Sequence, residues 1–172
     1  MHRLPPVFLI IILSFFVFVI TANISVAGVD KLIVMGTGSP TGVFSRVGKG
    51  LCSLVNKKRE RHLIRCISYN SAGSVFNVQS VLSNNMDFAM TGSDVAYRVF
   101  KSRNYSAKKL RLVAILYEMP TAIIVASGMN MKSLEDIAGK AINKGNIGSG
   151  KRVIANLIFR TKNWTDLSLS RV

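Results

Sequence analysis

The chain has 172 residues, enough for one domain of ordinary size. Its formal net charge is +15, and +14 without an N-terminal leader whose only charged residue is Arg3, which favours attraction of a small anion. The basic residues fall in small clusters, Lys57-Lys58-Arg59 and Lys108-Lys109, with no alternating aromatics to stack bases, which speaks against a nucleic-acid-binding module.

Residues 1–27 have the features of a cleaved signal peptide. Arg3 supplies the positive end, Val7 to Ile20 is almost unbroken apolar, and Ser25-Val26-Ala27 offers small residues for cleavage. The apolar run is shorter than the ~18 residues expected of a spanning helix. No Cys stands at the cleavage position, which argues against a lipoprotein. The expectation is an exported protein. Such a protein meets little ATP or NAD and an oxidising milieu, in which Cys52 and Cys66 form either a disulfide or two separate buried thiols.

Past the leader, short apolar runs alternate with helical periodicity. Lys31 to Met35 predicts a buried strand, 36–42 a loop, and 42–57 a helix whose apolar face carries Val43, Val47, Leu51, Leu54 and Val55. The unit then repeats. A strand over 63–68 leads through a loop to a helix over 74–82. A strand over 86–90 leads to a helix over 94–101, and 111–116 is a further strand. This alternation predicts βα units and a mostly parallel sheet, with ligands beyond the carboxyl ends of the strands. Pro120 interrupts the pattern within 117–120, read as a crossover between two lobes. An apolar strand over 121–126 follows, then Ser133 and Asp136 at capping-box spacing, a weak strand over 141–144 and a helix from about Gly150 to Arg160. The domain boundaries expected are 28–118 for lobe I and 119–172 for the beginning of lobe II.

Four strand-to-helix loops share one design: "GTGSPTG" (36–42), "YNSAGS" (69–74), "TGSD" (91–94) and "GSGK" (148–151). A helix N-terminus offers unpaired N–H groups and partial positive charge. Gly allows close approach, and Ser or Thr adds a donor, so each loop can hold an anion. The ordinary alternative for each is helix capping. "GTGSPTG" departs from a dinucleotide fingerprint, because Thr41 takes the third Gly position and no acidic residue follows at the ribose-binding distance. Gly145, Gly150 and Lys151 match a phosphate loop in spacing, but Arg152 stands where Ser or Thr should hold magnesium. An exported enzyme or nucleotide-binding protein using 145–151 is the alternative this spacing leaves. Otherwise catalytic constellations are poor. His62 is the only His past the leader, Asp87 and Asp94 form no evident pair, and zinc-type spacing is lacking. No catalytic residue, metal or cofactor is expected.

"LIVMGTGSPTGVFSRVGKGLCSLVNK", "SYNSAGSVFNVQSVLSNNMDFAMTGSDVAYRVFKS" and "SLEDIAGKAINKGNIGSGKRVIANLI" together resemble the TAXI-type solute-binding subunits of tripartite ATP-independent periplasmic (TRAP) transporters. The resemblance runs over nearly all of 31–172. It implies an α/β, two-lobed periplasmic binding protein of type II-like fold that closes on a small carboxylate, an amino acid such as glutamate or glutamine or an organic acid. It also implies membrane-embedded TRAP subunits as partners. Carried over by position, the ligand contacts would be Gly38, Ser39 and Thr41, then Tyr69, Ser71, Gly73 and Ser74, then Ser93 and Asp94, with Gly148 and Ser149 from the other lobe. Tyr69 would touch the solute or pack at its strand end. Asp94 would receive an amino group or cap its helix, and Glu118 is a similar candidate. Asn70-Ser71-Ala72 and Gly92 depart from the family pattern and blur the solute's identity. Members of this family are about twice as long, so a C-terminally truncated chain with an incomplete second lobe is the further expectation.

Overall fold

The structure, a computed structural model, describes residues 30–102 and 109–164. The signal peptide read at 1–27, Lys108 and the stretch 165–172 lie outside the described residues. The first strand, β1 (Lys31–Gly36), is the middle of a three-stranded sheet of order β2-β1-β3. It pairs in parallel with β2 (Ile64–Tyr69) from Lys31↔Ile64 to Gly36↔Tyr69. On its other side it pairs in parallel with β3 (Phe88–Ala89) through Met35↔Phe88 and Gly36↔Ala89. Helix α1 (Val43–Asn56) and the single turn α2 (Arg59–His62) connect β1 to β2. Helix α3 (Ser74–Leu82) connects β2 to β3, and α4 (Ser93–Lys101) follows β3. The last described helix is α5 (Gly150–Thr161). The parallel βα architecture expected for the first half is present.

The short β3, against the five residues expected over 86–90, has a local cause. Asp87 takes over the ladder with its side chain: Val34 N–H donates to Asp87 Oδ2 at 2.8 Å, while Asp87 N–H donates to Val34 carbonyl at 3.1 Å. One step on, Met90 N–H donates to the Gly36 carbonyl at 2.9 Å, so β3 still aims its carboxyl end beside that of β1.

Helix α1 packs on β2, and of its expected apolar face Val47, Leu51 and Val55 are half-buried, but small residues make the closest approach. Ser45, Gly48 and Cys52 are buried, whereas Val43 and Leu54 are exposed. The small residues let the helix backbone come close to the sheet, and Gly48 lies directly against Thr37. Cys52 and Cys66 form a disulfide from α1 to β2, which settles the two thiol states in favour of the bridge. Beside it, Asn56 acts as a substitute neighbour for the outer edge of β2. Its Nδ2 donates to the Cys66 carbonyl at 3.0 Å and its Oδ1 accepts from Cys66 N–H at 2.8 Å. Strand edges left unpaired invite pairing with other chains, and this amide blunts one. His62 is structural: its Nδ1 accepts from Ile64 N–H and its Nε2 donates to the Val55 carbonyl, both at 3.1 Å.

The second half differs from expectation. The strands predicted over 111–116, 121–126 and 141–144 are not formed, and no second sheet occurs among the described residues. A parallel strand is stabilised by paired neighbours and cover on both faces. The runs at 111–116 and 121–126 lack that cover: Ile115 is 85% exposed and Ile124 93%. What order there is comes from local bonds. The capping box at 133–136 forms by half, with Asp136 Oδ2 accepting from Lys132 and Ser133 N–H at 2.7 and 2.8 Å and a single 3-10 turn, Glu135–Ile137, in place of a longer helix. Lys162 bridges to Glu135 at 2.6 Å, and Phe159 meets Trp164 edge to face at 5.7 Å with Lys144 over its ring.

Candidate functional site

In strand order 2-1-3 the connection from β1 runs to β2 on one side while β3 pairs on the other, so the carboxyl ends of β1 and β3 flank the switch point where open sheets of this kind hold ligands in a crevice. Two helices begin at that crevice, α1 after β1 and α4 after β3. Their N-cap residues are Gly42 and Gly92, and among the described residues neither N-terminus receives a side-chain cap. Three of the four expected loops stand at this edge of the sheet.

One buried side chain ties them together. Asn77, on α3, is 0% exposed. Its Nδ2 donates to the Thr37 carbonyl at 2.5 Å and to the Met90 carbonyl at 2.8 Å, so it bonds the chain just past β1 and just past β3. With both amide hydrogens used, Oδ1 is the acceptor, and Ser71 Oγ donates to it at 2.6 Å. Ser71 Oγ in turn accepts from Gly73 N–H at 3.1 Å, and Ser71 N–H donates to the Gly38 carbonyl at 3.2 Å. Thr37, also fully buried, donates both its N–H and its hydroxyl to the Tyr69 carbonyl. Ser45 Oγ donates to Asn70 Oδ1 at 2.8 Å. Sequence reasoning missed Asn77, Thr37 and Ser45 as part of this framework. The available signal was position: Asn77 lies three residues after Ser74 and next to Val78, on the sheet-facing side of α3, where a polar residue must find partners.

The expected ligand contacts divide into groups. Gly38 is buried and serves the framework through its carbonyl. Ser39 and Thr41 are exposed at the rim, their hydroxyls 3.4 Å apart. Tyr69 ends β2 with half its surface exposed, and Ser71 is committed to Asn77. Ser74 is buried and its Oγ accepts from Gly92 N–H at 3.1 Å, which joins the start of α3 to that of α4. Ser93 is exposed in the first turn of α4. Asp94 does not cap its helix, and its Oδ2 is buried with no hydrogen-bond partner among the described residues. The crossover lies nearby, since a methyl group added at Gly92 would sit 3.4 Å from Met119 Cε. Tyr117, in the same segment, has a buried, unpartnered hydroxyl, and burial pushes its pKa up.

The fourth loop meets the second directly. The Gly148 carbonyl accepts from Val75 N–H at 3.0 Å and Phe76 N–H at 3.3 Å, so it caps α3. Gly73 (φ +113°) and Gly148 (φ +85°) hold conformations that L side chains rarely adopt, and they form the contact surface. Ser149 caps its own helix, its Oγ accepting from Arg152 N–H. Arg152 Nη1 folds back to donate to the Gly145 carbonyl at 2.7 Å. The cation at the phosphate-loop position therefore braces the turn, and no strand precedes it. Compared with known families, residues 35–172 match the model of the NMT1-like family.

Proposed function

The chain belongs to the NMT1-like family, whose chains resemble periplasmic binding proteins and bind solutes, and from that premise we propose that it captures a small carboxylate in the periplasm without transforming it. The solute is an amino acid such as glutamate or glutamine, with an organic acid as the wider class. Delivery is to the membrane subunits of a TRAP transporter, in the manner of TAXI-type proteins, with a second lobe closing over the crevice. The observation that carries the reading is the β1/β3 crevice with two uncapped helix N-termini, α1 and α4, facing a sheet edge rigidified by Asn77. Unpaired N–H groups and the helix dipole stabilise a carboxylate there, and the rim hydroxyls of Ser39 and Thr41 add donors. The orphaned Oδ2 of Asp94 favours a solute that also bears an ammonium group, because a buried carboxylate oxygen without a partner is costly.

The disulfide suits an oxidising compartment. Thermal melting of the chain with a panel of amino acids and dicarboxylates tests the proposal. A true solute at a hundredfold excess over Kd stabilises by about 2.7 kcal/mol, a shift of several degrees. An amino acid should shift the melt and its des-amino analogue should do so less. A panel in which nothing shifts the melt would overturn the reading.

A further inference from the structure

A second concavity lies toward the amino ends of the strands, away from the crevice. Its volume is about 430 Å³, and it runs from Lys31 and Ile33 on β1, past Val81 at the end of α3, to Phe88 on β3 and to Leu110. The floor is apolar: Ile33, Val81 and Leu110 are half-buried and Met86 is buried. The rim is charged. Lys31 and Lys109 are exposed there, and among the described residues no hydrogen bond or ion pair engages either ammonium. Asp87 is the one acid in the lining, and its Oδ2 already accepts from Val34 N–H at 2.8 Å. Two cations against one carboxylate leave a net charge of +1. The α3 carbonyls at this end are paired as well, since those of Gln79, Ser80 and Val81 accept from Ser83, Asn85 and Asn84 N–H in turn, which blunts the negative end of the helix.

We propose that this concavity is a second binding site, for an amphipathic monoanion: a monocarboxylate with an unbranched hydrocarbon chain. The volume is that of a small-molecule pocket, and apolar walls beneath a few polar groups are the pattern such pockets share. The chain lies over Ile33, Val81 and Leu110, and its burial supplies the affinity. The carboxylate reaches Lys31 and Lys109, whose charge-assisted bonds orient it. A strand from another polypeptide fits poorly. β3 is two residues long, and Asp87 and Met90 on either side of it give their N–H groups to β1, which leaves too short an edge for a ladder. The site sits at the other end of β1 from the crevice, so it stands whether or not the crevice binds a solute.

Titration of the chain with decanoate below its micellar concentration, followed by amide NMR, tests the proposal. Decanol lacks the charge and acetate lacks the chain. Decanoate should give saturable shifts at Lys31, Ile33, Val81 and Leu110 and leave Val43, Phe44, Ser93 and Asp94 unmoved. Decanol and acetate should each bind more weakly by about tenfold or more. Lys31→Gln combined with Lys109→Gln should weaken decanoate by about tenfold or more and leave decanol unchanged. Absence of a saturable shift with decanoate, equal binding of decanol, or undiminished decanoate binding in the double variant would each overturn the site. Shifts concentrated in the exposed runs at 111–116 and 121–126 would overturn it too, because they mark general adsorption to apolar surface. If the double variant changes the spectrum away from the site before any ligand is added, the comparison of decanoate, decanol and acetate on the wild type decides.

Discussion

Asn77 shows how much of the site depends on a residue that touches no solute. One amide satisfies two carbonyls at neighbouring strand ends and one hydroxyl, all inside the protein. Asn77→Ala leaves those groups unpaired, at about 1–3 kcal/mol for each buried group, so we expect a loss of about 3 kcal/mol or more in urea unfolding. A loss below 1 kcal/mol would show that water replaces the amide. Asp136 makes a pH prediction. The backbone N–H groups of Lys132 and then Ser133 hold its carboxyl below the ordinary aspartate value. Because the folded value lies below the unfolded one, the carboxylate supports its turn above the unfolded value, and that support is lost as pH falls through the folded value. The Lys132 and Ser133 amide signals should therefore titrate together below the ordinary aspartate range, and Asp136→Asn should abolish the step.

At the scale of elements, the first half was legible because helix and strand periods alternate cleanly and each strand finds a partner. Helix α3 begins and ends where periodicity and its flanking loops place it, Ser74–Leu82. The face of α1 was legible only in part, through the half-buried Val47, Leu51 and Val55. Hydrophobicity points to Val43 and Leu54, yet close approach through Ser45, Gly48 and Cys52 decides the packing. Gly48→Ala should cost about 1–3 kcal/mol, since the added methyl must displace Thr37 from beneath the helix. The runs at 111–116 and 121–126 have strand-like composition but no paired neighbour, and pairing is a property of the sheet that no single run encodes. The disulfide lay between two open alternatives, because a separation of 14 residues says nothing of proximity until α1 is laid on β2. Closing a loop of that size constrains the unfolded chain by about 3 kcal/mol. Reduction should lower stability by about that amount, and an unchanged urea midpoint after reduction would contradict it.

For the molecule as a whole, composition indicated a basic chain and the four loops indicated anion chemistry, but only the strand order distinguished their roles. Order 2-1-3 puts the α1 and α4 N-termini at the crevice, leaves Tyr69 at the outer strand's end, and lets the fourth loop cap α3 instead of presenting a free terminus. In the proposed site Ser39, Thr41, Ser93 and Asp94 would offer side chains to a solute, whereas Gly38, Ser71 and Ser74 already bond within the framework. The central claim is that a small carboxylate binds at the β1/β3 crevice. Backbone amide NMR of the chain during titration with L-glutamate tests it most directly. The account predicts saturable shifts concentrated at Val43, Phe44, Ser93 and Asp94, and shifts spread over the basic surface, or none at all, would contradict it.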